Sequence, residues 1–233
     1  MNPFNKANAL IAGNSCELAY LQASDHKAFL DGLAAQNFTL VDEYKSNIFS
    51  DQDYVGFLAA AADHMLLAFR GTHDAPDVLR DLELALVLFA CTDNGGRVHQ
   101  GFYEVYLSIR ESLLANIGAN DHLPLWIAAH SLGAALATMA VADVFGTLGL
   151  QPIFYSLGSP RVGDSQFVKS FDAVDECYRI ANSCDLVTQL PFKIQGYCHV
   201  PQEVKVEFIE PTLVYGNHAI GNYITHIPDH VTE

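Results

Sequence analysis

Residues 124–144 read PLWIAAHSLGAALATMAVADV, and this stretch decides the fold. Its first six residues form a short apolar run, which is typical of a buried strand. The alanine-rich run that begins at Leu132 predicts a helix, because alanine has a high helix propensity. Ser131 therefore lies in the turn between a predicted strand and a predicted helix.

The five residues from Ala129 to Gly133 place small residues on both sides of the serine. A Gly-x-Ser-x-Gly sequence between a strand and a helix makes a tight turn that lifts the serine hydroxyl above the sheet. Small residues are needed because the strand and the helix approach closely there. Ala129 replaces the first glycine and adds one methyl group, so we expect a tighter fit. The pattern alone leaves Ser131 two roles, a nucleophile or a helix N-cap.

Strands and helices alternate along the rest of the chain, which indicates a mainly parallel sheet with helices on its faces. No linker rich in proline, glycine or serine divides the sequence, so we expect a single α/β domain over residues 1–233. The predicted elements are two short helices within 7–38, two strands within 54–71 around a turn at 62–64, a helix over 101–118, and strands over 152–157, 176–181 and 204–210.

The formal net charge of the chain is −15, from 12 basic and 27 acidic residues. A surface of this sign repels nucleic-acid phosphates and anionic membranes, so it argues against both as electrostatic partners. The five cysteines are odd in number and include no Cys-x-x-Cys pair, which favours free thiols over a disulfide framework or a zinc site. Because no His-Glu-x-x-His motif is present, we expect no catalytic metal. We also expect no cofactor.

The first twenty residues contain one lysine and no long apolar run, so they do not have the composition of a secretory signal. Two locations stay open on this basis. The chain is cytoplasmic as written, and it is secreted if a signal was removed or another export route is used.

Five short blocks follow one another along the chain. They are AFRGT (68–72), VHQGF (98–102), AAHSLGAALA (128–137), SLGSPRVGD (156–164) and RIANSCDLVTQLP (179–191). In this order they resemble the class 3 lipase family, the fungal-lipase-like branch of the α/β-hydrolases, and the resemblance covers roughly residues 54–223.

This resemblance implies an α/β-hydrolase fold, with a mainly parallel central sheet flanked by helices. It also implies a catalytic triad in which Ser131 is the nucleophile and Asp185 the acid. The family's oxyanion hole corresponds to Thr72, through its backbone N–H and hydroxyl, and to the backbone N–H of Leu132. Asp81 matches a family aspartate that supports the oxyanion-hole hydroxyl.

Four histidines follow Asp185 in the sequence and are candidates for the base. The segment HAIGNYI, which begins at His218, resembles the family's histidine followed by a helix with a tyrosine five residues on. We therefore assign the base to His218 and keep His226 as the alternative. His199 resembles a structural segment of the family. His230 lies in a tail whose proline disfavours a helical metal pair with His226.

Three further features have less specific sequence signals, and we assign a role to each. We expect His99 to be a structural hydrogen-bonding residue and His130, beside the serine, to pack against the pocket or tune it. The segment LELALVLFAC (82–91) is apolar enough to cover or line an acyl pocket. An ordinary core segment has the same composition, so both interpretations stay open.

The resemblance implies a carboxylic ester hydrolase that acts on acylglycerols or related acyl esters through an acyl-enzyme. Its substrate is then a lipid or a small acyl ester, with transient contact at a lipid interface. Two alternatives stay open: a phospholipase or small-ester esterase, and a catalytically silent hydrolase fold that serves in binding or signalling.

Overall fold

The strand and the helix around Ser131 lie in the middle of an eight-stranded sheet. The computed structural model describes residues 3–46, 53–72, 85–93, 95–211 and 215–232. The strands are β1 (Thr39–Ser46), β2 (Asp53–Ala60), β3 (Met65–Phe69), β4 (Leu86–Leu88), β5 (Arg97–His99), β6 (Leu125–His130), β7 (Ile153–Leu157), β8 (Glu176–Asn182), β9 (Glu203–Val206) and β10 (Val231–Thr232). Strands β4 and β5 pair with each other, and the other eight form the large sheet in the order β1-β2-β3-β6-β7-β8-β9-β10.

The helices connect these strands and cover the sheet. They are α1 (Lys6–Ser24), α2 (His26–Ala35), α3 (Gln100–Gly118), α4 (Leu132–Asp143), α5 (Ser165–Val168) and α6 (Ile220–His230). Short 3₁₀ turns span 169–173, 187–189, 193–195 and 216–218, and a π turn spans 144–148. No helix in the described ranges is long and apolar enough to cross a membrane.

The centre of the large sheet is parallel. Strands β3, β6, β7, β8 and β9 pair in parallel, with Ala129 of β6 opposite Phe69 of β3. Antiparallel pairs β1–β2, β2–β3 and β9–β10 complete the edges. Because parallel strands end at the same edge, the segments after β3, β6 and β8 converge there. These segments carry Thr72, Ser131 and Asp185.

Each face of the sheet has its own apolar core. Helices α3 and α4 bury residues such as Leu113 and Met139 against one face, to which Leu67 of β3 contributes. Helices α1, α2 and α6 bury residues such as Phe29 against the other face, with Leu66 of β3. Successive strand residues point to opposite faces, so adjacent leucines in β3 serve two cores. The parallel α/β architecture predicted from the sequence is confirmed.

Several predicted elements are found at the expected places. The hairpin β2–β3, helix α3, strand β6 and helix α4 match their predictions within one or two residues. The helix predicted to stop at Gly118 ends there, with Ala119 in a right-handed conformation at the cap.

Four sequence expectations were incomplete or wrong. Helix α1 is 19 residues long, where a short helix was expected. Its length was not visible in the sequence, because the helix is buried on several sides and lacks a clear amphipathic pattern. Strand β1 was missed, since its sequence TLVDEYKS is half polar at the sheet edge. The strand predicted over 204–210 ends at Val206. The tail that contains Pro228 is helical, and α6 continues to His230 with the proline in its last turn.

The apolar segment 85–91 has a divided role. Phe89 is 1% exposed and belongs to the core on the α3–α4 face, which supports the core interpretation. Leu88 is 66% exposed on strand β4. Residues 82–84, which complete the predicted cover, lie outside the described residues.

His99 is held by stacking and not by the expected hydrogen bonds. Its ring lies 4.3 Å from that of Phe102, and neither ring nitrogen has a hydrogen-bond partner within the described part of the chain. Burial lowers the pKa of His99 to about 4. The folded protein therefore excludes a proton that the unfolded chain accepts at mildly acidic pH.

We expect stability to fall as the pH is lowered from about 6.5 towards 4, because the unfolded chain protonates His99 and the folded chain does not. One such histidine contributes a slope of at most about 1.4 kcal/mol per pH unit. Urea unfolding between pH 7 and pH 4.5 should show a smaller slope for His99→Gln than for the parent. The exposed His122 provides the control His122→Gln, with an unchanged slope. Equal slopes for the parent and His99→Gln would contradict this account.

Candidate active site

Ser131 occupies a strained turn between β6 and α4. Its φ of 58° and ψ of −130° lie in a region that residues other than glycine rarely adopt. Its N–H donates to the carbonyl of Leu157 at 3.0 Å, and its own carbonyl accepts from the N–H of Ala134 at 2.9 Å. The methyl group of Ala129 is fully buried in the core, and the turn keeps its geometry beside it.

A histidine and an aspartate from later segments complete a chain of hydrogen bonds to this serine. His218 Nδ1 lies 2.7 Å from Asp185 Oδ2, and His218 Nε2 lies 2.7 Å from Ser131 Oγ. Because a carboxylate only accepts, Nδ1 carries the proton and Nε2 accepts from the serine hydroxyl. All three side chains are buried.

Two donors beyond His218 fix the Asp185 carboxylate. The Tyr223 hydroxyl donates to Oδ2 at 2.7 Å, and the N–H of Val187 donates to Oδ1 at 2.9 Å. Burial, and then the charge of Asp185, hold the pKa of Tyr223 well above its ordinary value, so the phenol remains a donor. The same hydroxyl accepts from the N–H of Asn182 at 3.0 Å. The tyrosine thus connects α6, the end of β8 and the carboxylate.

Gly158 leaves the space that the side chains of Asp185 and His218 need. Its φ is +59°, and a methyl group here would lie 3.0 Å from Asp185 Oδ2 and 3.1 Å from His218 Cε1. Both the backbone conformation and the close approach therefore favour glycine at the end of β7.

A second hydrogen-bonded chain lies on the other side of the serine and begins in α1. Tyr20 Oη accepts from the N–H of Gly71 at 3.1 Å and lies 2.8 Å from His130 Nδ1. His130 Nε2 lies 2.8 Å from the carbonyl of His218, so Nε2 carries the proton and Nδ1 accepts from the tyrosine hydroxyl. Burial, and then the neighbouring His218, hold the pKa of His130 well below its ordinary value. We expected His130 to pack against the pocket or tune it. In the structure it links the segment at Gly71, through Tyr20, to the backbone of His218.

The segment that contains Thr72 lies directly against the serine. A methyl group at Gly71 would come within 2.5 Å of Ser131 Cβ. Thr72 and His218 line one cavity of about 530 Å³. Leu132 is the first residue of α4 and is buried. Asp81 lies outside the described residues.

The structure brings His218 to Ser131 and places His199 and His226 elsewhere. His226 stacks on Phe208 with ring centroids 4.5 Å apart, and its Nδ1 donates to a backbone carbonyl in its own helix. His199 donates to the carbonyl of Thr188, and burial lowers its pKa to about 3. Within the described ranges, no three histidine, cysteine, aspartate or glutamate side chains are close enough together to hold a metal ion.

A further cavity of about 330 Å³ opens beside the histidine and the aspartate. Apolar side chains contribute much of its wall, including Leu186, Leu190 and Phe192. His218 lines both cavities, so there is open space on two sides of this histidine.

Sequence reasoning missed Tyr20 and Gly158 and gave Tyr223 no role. Tyr20 lies 110 residues from His130 along the chain, so no local pattern connects them. The block SLGSPRVGD contains Gly158, but its positive φ is a property of the folded turn. The spacing of Tyr223 from His218 was visible, although its bond to Asp185 was not.

The fold and the site define an α/β-hydrolase with a serine, a histidine and an aspartate in hydrogen-bond contact. The sequence model of the family described as lipase (class 3) matches residues 66–195, more than half of the chain. This protein belongs to the class 3 lipase family.

Known proteins of this kind are similar to the chain over most of its length. It is 30% identical to the secreted mono- and diacylglycerol lipase A of Penicillium cyclopium over 166 residues, covering 66% of this chain and 53% of the relative. It is 31% identical to the phospholipase A1-II 3 of Oryza sativa subsp. japonica over 185 residues, covering 60% and 44%. The chain thus spans about half the length of these curated relatives.

Solved structures show the same fold. The native Rhizomucor miehei lipase propeptide complex superposes with a TM-score of 0.73 at 21% identity, covering 88% of this chain and 70% of that one. The lipase from Rhizopus microsporus var. chinensis gives a TM-score of 0.72 at 21% identity, covering 89% and 77%.

Removing the Tyr223 hydroxyl tests its role as a support for Asp185. Tyr223→Phe should destabilise the fold by about 1–3 kcal/mol, since a buried N–H and a carboxylate oxygen each lose a partner. Urea unfolding measures this change. The equally buried Tyr197, whose hydroxyl makes only a long 3.5 Å contact with Ala85, provides the control Tyr197→Phe. A loss for Tyr223→Phe no greater than that of the control would contradict the proposed support.

Proposed function

We propose that this protein hydrolyses carboxylic esters of the acylglycerol type, with Ser131 as nucleophile, His218 as general base and acid, and Asp185 as the group that orients the histidine. The observation that carries the proposal is the pair of 2.7 Å hydrogen bonds that connects these three buried side chains. The lipases and phospholipases among the relatives support an acyl ester of glycerol as the substrate.

The hydrogen bonds define the path of the proton. As Ser131 Oγ attacks the ester carbonyl, its proton moves to His218 Nε2, which is the acceptor in the resting tautomer. Asp185 stabilises the imidazolium through Nδ1. His218 then donates the proton to the leaving alcohol oxygen, and an acyl-enzyme remains. Water repeats the sequence, releasing the acid and restoring Ser131.

The charge that develops on the carbonyl oxygen requires donors near the serine. We assign this role to the backbone N–H groups of Thr72 and Leu132 and to the Thr72 hydroxyl, with Asp81 as support for that hydroxyl. The contact of Gly71 with Ser131 and the position of Leu132 after the turn support this assignment. Loss of one such donor typically lowers kcat by about 10²–10³-fold.

The hydrogen bonds that connect Gly71, Tyr20 and His130 position the groups around Ser131. By accepting from Gly71, Tyr20 fixes the backbone that precedes Thr72. His130 remains neutral 4.6 Å from the His218 ring, so no second positive charge opposes formation of the imidazolium.

The surface around the smaller cavity suits a lipid substrate. Leu186, Phe192 and Ile194 are exposed by 74%, 55% and 94%, and the first two line that cavity. Exposed apolar groups around a site of this kind indicate contact with an apolar partner. We infer transient contact with a lipid interface at this rim.

The experiment that tests the function is hydrolysis of p-nitrophenyl esters of short and long acyl chains by the parent and by Ser131→Ala. The parent should be active and the variant inactive while retaining its thermal unfolding transition. A fluorophosphonate should label the parent at Ser131 and leave the variant unlabelled. An inactive parent that is also not labelled would favour the silent binding module, whereas long-chain preference would favour a lipase over a small-ester esterase.

The positioning role of Tyr20 gives a separate prediction. Tyr20→Phe should lower kcat by about tenfold or more with a small change in KM, since a donor displaced by a fraction of an ångström weakens transition-state binding. The control Tyr106→Phe removes a hydroxyl bonded to Asp143 on the opposite face, and it should reduce stability without changing kcat. Equal losses of kcat in the two variants would show that Tyr20 acts only through stability.

A further inference from the structure

A third cavity, of about 270 Å³, is lined by residues of the paired strands β8 and β9 and of neighbouring segments, and His218 is not among its lining residues. Its wall contains four of the chain's 12 basic residues, Arg161, Arg179, Lys193 and Lys205. One carboxylate, that of Glu203, also lines it. In a protein of net charge −15, this is a marked local concentration of positive charge.

The two arginines are buried and incompletely paired. Arg161 and Arg179 are 5% and 3% exposed. Arg179 Nη2 pairs with Glu203, and Arg161 Nη1 donates to the carbonyls of Gln189 and Pro191. Within the part of the chain that the structure describes, the Nε–H of neither arginine has an acceptor. A buried donor without a partner is costly, so these groups favour a ligand or solvent that accepts.

The charges in this cavity are also unbalanced. Arg161 and Arg179 line the same small cavity, and burial, followed by the positive charge of Arg179, lowers the pKa of Arg161. His199 adds no positive charge of its own, because burial and the same two arginines keep it neutral at physiological pH. One carboxylate therefore faces two buried cations, with two lysines at the exposed rim.

We propose that this cavity binds a small oxyanion, a phosphate or phosphate monoester, held by Arg161 and Arg179 within and by Lys193 and Lys205 at the rim. The planar guanidinium group suits phosphate oxygens, and charge-assisted hydrogen bonds of this type are stronger than neutral ones. The cavity volume admits a phosphate headgroup but not a long acyl chain.

The surroundings indicate two sources for such a phosphate. Lys193 stands between the exposed apolar residues Phe192 and Ile194. A lipid phosphate could therefore enter the cavity while its chains lie on the apolar rim. A free phosphate monoester from solution has the same charged group and fits the same donors.

An occupant here would also contact the turn that carries Asp185. His199 donates to the carbonyl of Thr188, and the Thr188 hydroxyl donates to the carbonyl of Asp185. The cavity wall includes Thr188 itself. Binding would therefore restrict the motion of this turn and raise the temperature of unfolding.

The test is calorimetric titration with inorganic phosphate, together with thermal unfolding in phosphate and in sodium chloride of equal ionic strength. Phosphate at about 100 times its Kd should raise Tm by about 5 °C or more over chloride. Lys193→Ala/Lys205→Ala should weaken binding at least about tenfold, and its fold should be retained because both side chains are exposed. Lys27→Ala/Lys169→Ala removes the same charge from exposed sites elsewhere and should bind as the parent does.

Two results would overturn the proposal: equal stabilisation by phosphate and chloride, or equal weakening by the two double variants. Co-sedimentation with vesicles distinguishes the sources and is done in the Ser131→Ala background, so that no ester is cleaved. Binding to vesicles of phosphatidic acid and phosphatidylcholine that depends on Lys193 and Lys205 supports the lipid headgroup. Binding of glycerol 3-phosphate without such vesicle dependence supports the free monoester. Neither measurement depends on whether the enzyme hydrolyses esters.

Discussion

The close approach of helix α4 to the strands beside it is the constraint on which the site depends. Gly133 in the first turn of α4 lies so near β3 that a methyl group there would come within 2.4 Å of the Arg70 carbonyl. This contact leaves the chain no room for a relaxed connection, and Ser131 adopts a positive-φ conformation that costs on the order of 1–3 kcal/mol. The packing of the two flanking elements, with a core on each face, holds that conformation in place.

Once the serine is fixed, the parallel sheet determines what can reach it. Strands β3, β7 and β8 end at the same edge of the sheet as β6. The residues that follow them, near Gly71, Gly158 and Asp185, therefore become neighbours. Two hydrogen-bonded chains then meet at the site from opposite directions. One comes from α6 through Tyr223, and the other comes from α1 through Tyr20. The helices that cover one face of the sheet thereby take part in the geometry of its edge.

Much of this arrangement could be predicted from the sequence, and the reason is physical. The turn at Ser131 is local, since five consecutive residues encode its shape, and the alternation of strands and helices along the chain indicates a mainly parallel sheet. The residues that failed prediction depend on contacts across the fold. Tyr20 has its partner 110 residues away, and the edge strand β1 lacks the apolar pattern of a buried strand. The family resemblance located Asp185 and His218, which residue spacing alone could not select among several acids and four histidines.

The two adjacent histidines show how the fold assigns different chemistry to one side-chain type. His130 and His218 lie with ring centroids 4.6 Å apart, yet their protons occupy opposite nitrogens. His130 donates from Nε2 to a backbone carbonyl and accepts at Nδ1, and burial favours this neutral form. His218 instead has a carboxylate at Nδ1 and a hydroxyl at Nε2, and gaining a proton there is compensated by Asp185. Because the buried Asp185 carboxylate contacts only one of the two rings, positive charge can develop on His218 alone, which is what the proposed proton transfer requires.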